Sequence, residues 1–389
     1  MVQILVLSPY EPPADGIAKH TARLVEAWDA AGHDVLVIAP GTRGSSKETE
    51  DVGSRSNVVR ILHQFPKRSV LNTAEDFRPD VVFVQFAIST LNVNLWSVMN
   101  LCKQFAAARV PVVVAYHEPT REYDLLRFVS RQIYRRVARL TDVPIVFSST
   151  GRQALIESGL FKEAVQVHLG TIGVAKISVD DIERVKSIYK IRKPLVLSLG
   201  FTSADKGTDV LLEAAGEIAT SRDGDVQFLI AGSPRRRRGA FRLMERRDVN
   251  YQRRLEGQAK TIATAEIAFG SYVDERDVPS LLFVAAVVAL PYRRITQSAM
   301  ANLALSSRSV IVCSDIPGLR SDLGDAARYV VAGDSHALAE EIVRVLGDHR
   351  ESVRMRDLSG KRAASNTYAI AAEEILSAGL AHRATDFLG

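Results

Sequence analysis

Two short segments of this chain carry residue types suited to binding phosphate, each at the end of an apolar run. Gly200-Phe-Thr-Ser-Ala-Asp-Lys-Gly207 follows the run Pro194–Leu199, and Leu290-Pro-Tyr-Arg-Arg-Ile-Thr-Gln-Ser-Ala-Met300 closes the run Ala285–Leu290. Each reads as a strand end leading into a helical pattern. Such a junction gathers unpaired N–H groups and the positive end of a helix dipole, and it is where open α/β sheets bind anions. Gly200 opens the first turn and Lys206 adds an ammonium to it. In the second, the hydroxyls of Thr296 and Ser298 and the amide of Gln297 can reach oxygen atoms. The plainer reading is that Thr296 or Ser298 caps the next helix, and that Lys206 is a solvated first-turn lysine. Taken together, the two turns predict a diphosphate site and a nucleotide-linked substrate.

Two further positions belong with them. His117 closes the apolar run Pro111–Tyr116, where it would hydrogen-bond a substrate or merely satisfy a backbone carbonyl. Glu118 points the other way on an extended chain, so the two do not form an acid–base pair. Gly16 permits close approach of backbone to phosphate, though a turn is the default use of such a glycine.

The elements that must hold these residues alternate between strand-like and helix-like. In the first half, strands are predicted at Gln3–Leu7, Asp34–Ala39, Val58–Leu62, Val81–Gln85, Pro111–Tyr116 and Pro144–Ser148. Helices fit Ala18–Ala31, Leu91–Ala107, Tyr123–Leu140 and Gly151–Ser158, and Gly41–Ser56 reads as a mobile loop. The second half restarts the pattern, with strands at Pro194–Leu199, Val226–Ala231, Glu266–Phe269, Ala285–Leu290, Ser309–Cys313 and Arg328–Val331. Its helices fit Gly207–Thr220, Val249–Ala263, Val278–Phe283, Ser298–Ser307 and Ala337–Leu346, with one or two more before the C-terminus. This predicts an α/β protein of two Rossmann-like, doubly wound domains facing across a cleft. The domains would span residues 1–175 and 194–389, joined by a linker at 176–193, with the last helix free to pack back on the first domain.

Bulk properties set the limits. The 389 residues suffice for two cores, and 47% hydrophobic with 24% charged residues is ordinary for globular chains. The formal net charge of +5 suits an anionic substrate or an anionic membrane surface as well as nucleic acid. Cys102 and Cys313 lie too far apart in sequence to imply a disulfide framework or a zinc site, which suits a reducing cytosol. The opening run Val2–Leu7 is short, lacks a basic leader and meets Pro9, so it reads as a first strand rather than a targeting segment. No G-x-x-x-x-G-K-[ST] occurs, no G-x-G-x-x-G follows a strand, and HExxH, EF-hand and paired CxxC patterns are missing. A P-loop enzyme, a dinucleotide dehydrogenase and a metal site are therefore not indicated.

Several segments, taken in order, resemble the family 4 glycosyltransferases of the GT-B architecture. Ser8-Pro-Tyr-Glu-Pro-Pro-Ala-Asp-Gly-Ile-Ala-Lys-His20 is similar to that family's first loop and helix, Ala115-Tyr-His-Glu118 to its strand-end histidine motif, and Val146-Phe-Ser-Ser149 to a later strand end. Leu197–Gly207 resembles its phosphate loop, while Phe228–Gly232 and Ser309–Asp315 match further strands of its C-terminal domain. The resemblance implies a retaining transfer of sugar from a nucleotide-sugar co-substrate, with no metal or other cofactor required. It makes His117 and Lys206 catalytic, and Gly16, Gly200, Lys206, Thr296, Gln297 and Ser298 donor-binding. Two departures stand out. Where the family usually carries glutamates eight positions apart, this chain has Ile295 and Leu303, and Phe201 replaces the phosphate-loop arginine. It is similar in this to a subgroup reading roughly P-Y-r-x-x-T-Q-S. A binding paralogue without turnover and a nucleotide-sugar epimerase on the same fold are the alternatives.

Two basic features concern the acceptor. Along Tyr123–Leu140, Leu126, Val129, Ile133, Val137 and Leu140 predict a core face, with Arg127, Arg131, Arg135 and Arg139 on another. Such a helix is a solvated core helix, or one resting on anionic lipid or gripping a lipid-linked acceptor. The second feature, Pro234-Arg-Arg-Arg-Arg238 and the arginines after it, lacks interleaved aromatics, so nucleic acid ranks below a membrane or glycan partner. The implied setting is the cytoplasm, with the inner face of a membrane as a docking place.

Overall fold

The computed structural model describes residues 1–11, 16–41, 49–63, 67–91, 94–119, 128–221, 225–234, 242–262, 266–270, 273–295 and 298–386. They form two compact units: Met1–Gly170 together with Thr367–Gly389, and Thr171–Asn366.

The first unit is built on an eight-stranded sheet in the order β3-β4-β2-β1-β5-β6-β7-β8. Its strands are β1 (Gln3–Leu7), β2 (Asp34–Pro40), β3 (Thr49–Asp51), β4 (Ser56–Leu62), β5 (Val81–Phe86), β6 (Val112–Tyr116), β7 (Val143–Val146) and β8 (Val165–Gln166). All described pairings are parallel except β3 with β4. Parallel strands covered on both faces need apolar side chains at every position, and the alternation shows which side each fills. Leu5, Leu7, Val82, Val84, Val112 and Val114 enter one core, while Ile4, Val6, Val81, Phe83, Val113 and Ala115 enter the other. The helices are α1 (Gly16–Ala30), α2 (Arg68–Phe77), α3 (Ile88–Leu91), α4 (Leu95–Ala107), α5 (Phe128–Ala138) and α6 (Ser149–Glu157).

The second unit has a six-stranded, wholly parallel sheet in the order β11-β10-β9-β12-β13-β14. Its strands are β9 (Leu195–Leu199), β10 (Gln227–Ala231), β11 (Glu266–Gly270), β12 (Val287–Leu290), β13 (Ile311–Ser314) and β14 (Ala327–Val330). Counted from β9, this is the 3-2-1-4-5-6 order of a dinucleotide-type fold, and the order reverses between β9 and β12. The helices are α7 (Val179–Ile188), α8 (Thr208–Ser221), α9 (Arg242–Ala259), α10 (Val278–Val284), α11 (Ala299–Ser306), α12 (Pro317–Leu323), α13 (Ser335–Gly347) and α14 (His349–Ser365). The chain then returns to the first unit as α15 (Tyr368–Asp386).

The structure departs from the sequence reading in several places. The expected loop Gly41–Ser56 contains β3, a short edge strand whose Thr-Glu-Asp lacks any apolar signal. Residues 176–193, read as a linker, hold α7 within the second unit. Its charged surface hid a reciprocal cap, in which Ser178 accepts from the Asp181 N–H and the Asp181 carboxylate accepts from the Ser178 N–H. α9 begins seven residues before the expected Val249, because its arginines are good helix formers but carry no apolar period. In α5 the buried residues are Ser130, Tyr134 and Val137, so Val129 faces outward at 54% exposure instead of joining the core. Leu126 and Arg127 lie outside the described residues.

The final helix completes the first unit's core. Ala371, Ala372, Ile375 and Leu376 are buried among Trp28, Phe83, Val113 and Ile145, and the Trp28 indole donates to the Ala372 carbonyl at 2.9 Å. Burying Ile375 and Leu376 alone contributes about 3 to 6 kcal/mol, comparable with the whole stability of a domain. Ending the chain at Asn366 should therefore abolish cooperative unfolding of the first unit while leaving the second folded. Limited proteolysis read by mass spectrometry would show selective cleavage within residues 1–170, and equal protection of both units would contradict it.

Candidate active site

The turns after β9 and β12 are neighbours because those strands pair, and they lie where the strand order reverses. In an open α/β sheet this is where diverging loops leave a crevice at the strands' carboxyl ends. After β9 the chain turns at Gly200 (φ 128°) and passes through a 3-10 turn, Ala204–Lys206. It enters α8 through Gly207 in the left-handed region (φ 61°). A Cβ at Gly207 would fall 1.9 Å from the Pro291 carbonyl oxygen, so only glycine allows the two turns this close.

Charged hydrogen bonds then fasten one turn to the other. The Arg293 N–H donates to the Asp205 carbonyl at 2.8 Å, and its guanidinium donates to both Asp209 oxygens at 2.6 and 2.9 Å. A third guanidinium contact reaches the Ala204 carbonyl at 3.1 Å. Tyr251 from α9 donates to Asp209 at 2.7 Å. Burial would raise the Asp209 carboxyl, but the bonds from Arg293 and Tyr251 outweigh it and hold the group below the usual range. Bidentate pairs of this kind fix geometry as well as charge.

Lys206 sits within this frame, its Nζ 3.6 Å from the centroid of the Tyr292 ring. Tyr292 is 2% exposed and its hydroxyl has no hydrogen-bond partner among the described residues. It is therefore the ring face that this turn uses, as a platform for the ammonium.

Ser298 caps α11. Its Oγ accepts from the Ala301 N–H at 3.2 Å, while its own N–H donates to the buried Asp322 carboxylate at 2.9 Å. The plainer reading of Ser298, as a cap, thus describes its contacts. Burial pushes the Asp322 carboxyl up to about 7, against the Ser298 hydrogen bond and the charge of Arg362. Ile295 and Leu303, the two apolar residues noted as departures in the sequence, pack against the second unit's hydrophobic core. Thr296 and Gln297 lie outside the described residues.

In the first unit, His117 follows β6 and is 5% exposed. Its main-chain N–H donates to the Phe86 carbonyl at 3.1 Å, and its Nε2 is hydrogen-bonded to the Gln85 side-chain oxygen. The Phe147 and His20 rings lie 5.0 and 5.7 Å from it, centroid to centroid. His20 in turn approaches the Tyr368 hydroxyl, Nδ1 to oxygen 3.4 Å. Burial drives His117 down to about 3, and burial, with a smaller contribution from the neighbouring His117 imidazole, drives His20 well below its usual value. Both imidazoles are neutral at physiological pH, so His117 can offer a hydrogen bond but no positive charge. Gly16 opens α1, and among the described residues nothing lies within 4 Å of an added Cβ there.

Sequence reasoning did not single out Gln85, Asp322 or Arg293. Gln85 carried a signal, the one polar residue in the buried strand Val-Val-Phe-Val-Gln-Phe. Asp322 carried none, since its partner is 24 residues away and is a main-chain group.

Comparison with known proteins agrees with this architecture. Residues 15–170 match the family described as glycosyl transferase 4-like domain, and residues 193–348 match glycosyl transferases group 1. The chain belongs to the family 4 glycosyltransferases. Its fold is GT-B: α/β, with two Rossmann-like domains. Sucrose-phosphate synthase from Thermosynechococcus elongatus aligns over 100% of both chains, with TM-score 0.73 and 17% identity. A UDP-forming α,α-trehalose-phosphate synthase from Burkholderia xenovorans, solved with glucose-6-phosphate, covers 98% of this chain and 100% of its own, with TM-score 0.73 and 14% identity. Anabaena HepE, solved with UDP and glucose, covers 98% of this glycosyltransferase and 100% of its own chain, with TM-score 0.70 and 16% identity. Among curated sequences, α-D-kanosaminyltransferase of Streptomyces kanamyceticus is 25% identical over 167 residues, spanning 42% of this chain and 39% of that protein.

The neutral state of His117 has a measurable consequence. Its folded value of about 3 lies below its unfolded value of 6.5, so between those limits the unfolded state binds more protons. Its contribution is complete above the unfolded value and is lost as pH falls toward the folded one, at about 1.4 kcal/mol per pH unit. Urea midpoints should therefore fall more steeply below about pH 6.5 in the wild type than in His117→Gln. Parallel profiles would show that the imidazole is charged or exposed in the folded protein.

Proposed function

We propose that this glycosyltransferase moves a sugar from a nucleotide-sugar donor to a glycan, glycolipid or metabolite acceptor, with retention of configuration and without a metal. The second unit takes the donor and the first takes the acceptor. The observation that carries the reading is the pair of turns at the β9–β12 reversal, locked together by Gly207 and Arg293 and furnished with Lys206.

In the reaction the bond between the sugar's anomeric carbon and the diphosphate oxygen breaks, and its electrons leave with the nucleoside diphosphate. An acceptor oxygen bonds to the same carbon, and its proton passes to the diphosphate or to water. Negative charge therefore grows on the leaving group. Lys206 supplies a charge-assisted hydrogen bond, and leaving the Tyr292 ring costs it only about 0.5 to 2 kcal/mol. N–H groups of the α11 first turn supply neutral donors along the helix dipole. Thr296 and Gln297 remain assigned to donor contacts, with Gly16 and Gly200 giving room for backbone beside phosphate. His117, held neutral, is assigned a hydrogen bond to the sugar.

A second reading has its own support. Ile295 and Leu303 lie against the core where the family usually carries carboxylates, which favours a binding paralogue that holds nucleotide without turnover. Turnover separates the two. Purified protein offered UDP-, GDP- and dTDP-sugars with mixed acceptors should release nucleoside diphosphate. Lys206→Ala should lower that rate about 100- to 1,000-fold while its melt stays as in wild type. Nucleotide binding with no release from any donor would select the second reading, and epimerised sugar nucleotide without acceptor would select an isomerase.

The first unit's surface favours an anionic bilayer as the place where the acceptor is met. Phe128, Val129 and Trp96 are exposed at 73%, 54% and 51%. α5 contains Arg131, Arg135 and Arg136 but no acidic residue, and the Arg136 guanidinium lies 5.5 Å over the Trp96 ring. Arginine beside exposed aromatic and aliphatic side chains is the composition of interfacial helices. Among the described residues no helix is long and apolar enough to cross a membrane, so contact would be peripheral. The protein should sediment with vesicles containing phosphatidylserine or phosphatidylglycerol and not with phosphatidylcholine alone. Arg135→Glu with Arg136→Glu should weaken that binding at least about 25-fold, from about 1 kcal/mol per arginine. Equal sedimentation with neutral vesicles would remove the membrane from this reading.

A further inference from the structure

We propose that Asp322 is a positioning residue for the diphosphate site: its carboxylate holds the main-chain N–H of Ser298 and so fixes which amides at the start of α11 are left for a ligand. The inference rests on the donor-site reading above and adds to it a residue of α12.

The N–H groups at this helix start can be followed one by one. Ser298 donates to Asp322 at 2.9 Å, Ala301 donates to the Ser298 hydroxyl at 3.2 Å, and Asn302 closes the first helical bond on the Ser298 carbonyl at 3.2 Å. Those of Ala299 and Met300 remain without a partner among the described residues, as the first amides of a helix are unless a cap or ligand takes them. Two adjacent amides at a helix start are suited to two phosphate oxygens. Their direction depends on the orientation of Ser298, which is pinned from one side by its own cap and from the other by Asp322.

A carboxylate is an expensive choice for that task. Asp322 is 4% exposed, and an asparagine oxygen would accept the same N–H at less desolvation cost. Nor, among the described residues, does an ion pair offset it. Arg362 from α14 spends its guanidinium on the main-chain carbonyls of Asp322 and Ser321, at 3.2 and 2.9 Å. The groups facing Asp322 are thus the Ser298 amide from the α11 side and the Arg362 cation from α14. With its carboxyl pushed up to about 7, the residue can take a proton as a dianionic ligand arrives, which removes a repulsion and leaves the acceptor oxygen in place.

Isothermal titration of the full chain with UDP, GDP and dTDP, as wild type, Asp322→Asn and Asp322→Ala, tests this, together with amide hydrogen exchange over residues 298–306. Asp322→Ala should speed exchange at Ser298 and weaken the bound nucleotide about tenfold or more, the worth of a hydrogen bond to a charged group. Asp322→Asn should bind within about twofold of wild type at pH 8, since it keeps the acceptor oxygen. It should also lack the wild type's extra gain in affinity as pH falls from above toward about 7, levelling off below it, after the nucleotide's own titration, common to both, is subtracted. A folded Asp322→Ala protein with wild-type exchange at Ser298 overturns the positioning. Faster exchange with unchanged nucleotide affinity overturns its link to the ligand. A wild type that binds none of the three nucleotides overturns the donor reading instead, and the exchange data still decide what Asp322 holds.

Discussion

The second unit depends on a contact that has no side chain on one partner: Gly207 against the carbonyl of Pro291. Any Cβ at residue 207 would overlap that oxygen, so the turns after β9 and β12 come together only because the position is glycine. From that approach follow the Arg293–Asp209 pair, the Tyr251 hydroxyl that completes it, and the perch of Lys206 over Tyr292. Each of these is a polar contact of modest net worth. Their joint effect is to remove freedom from two loops at the point where a parallel sheet changes direction. Rigid loops present amides and an ammonium without a reorganisation cost at the moment a charge develops.

The two units solve the same structural problem with different chemistry at the strand ends. In the second, charge is plentiful and paired through bidentate contacts, and the ammonium is held on a ring. In the first, His117, His20 and Gln85 are buried beside Phe147, and desolvation keeps both imidazoles neutral. A set of charged hydrogen-bond donors suits a diphosphate, whereas neutral polar groups suit hydroxyl groups. This division follows from local environment alone and agrees with the proposed split between donor and acceptor.

Much of the architecture was legible in the sequence, because buried parallel strands write themselves as unbroken apolar runs. Val-Val-Phe-Val-Gln-Phe and Leu-Val-Leu-Ser-Leu could hardly be anything else, and Gly207 and Lys206 marked a turn between strand and helix. What stayed hidden was whatever tertiary contact decides. Nothing in Thr-Glu-Asp announces an edge strand, and charge along Val179–Ile188 masked a helix whose cap was nevertheless readable at Ser178 and Asp181. The face of α5 was misjudged because Tyr134, not Val129, fills the space beside Phe86 and Tyr116. Of the site, the turn residues were found and the groups that steady them were not. Arg293 and Asp322 act across 84 and 24 residues, beyond the reach of local pattern.

The route of α15 bears on how the chain is made. A ribosome emits residues 1–170 well before α15, yet the hydrophobic face around Trp28 and Phe83 stays open until α15 emerges. The intervening half can meanwhile close on itself, since its two ends lie within one contiguous stretch. Synthesis order and completion order are thus inverted, and the nascent first sheet must wait with one side uncovered. Such exposure invites association with other chains, which chaperone binding during translation would counter.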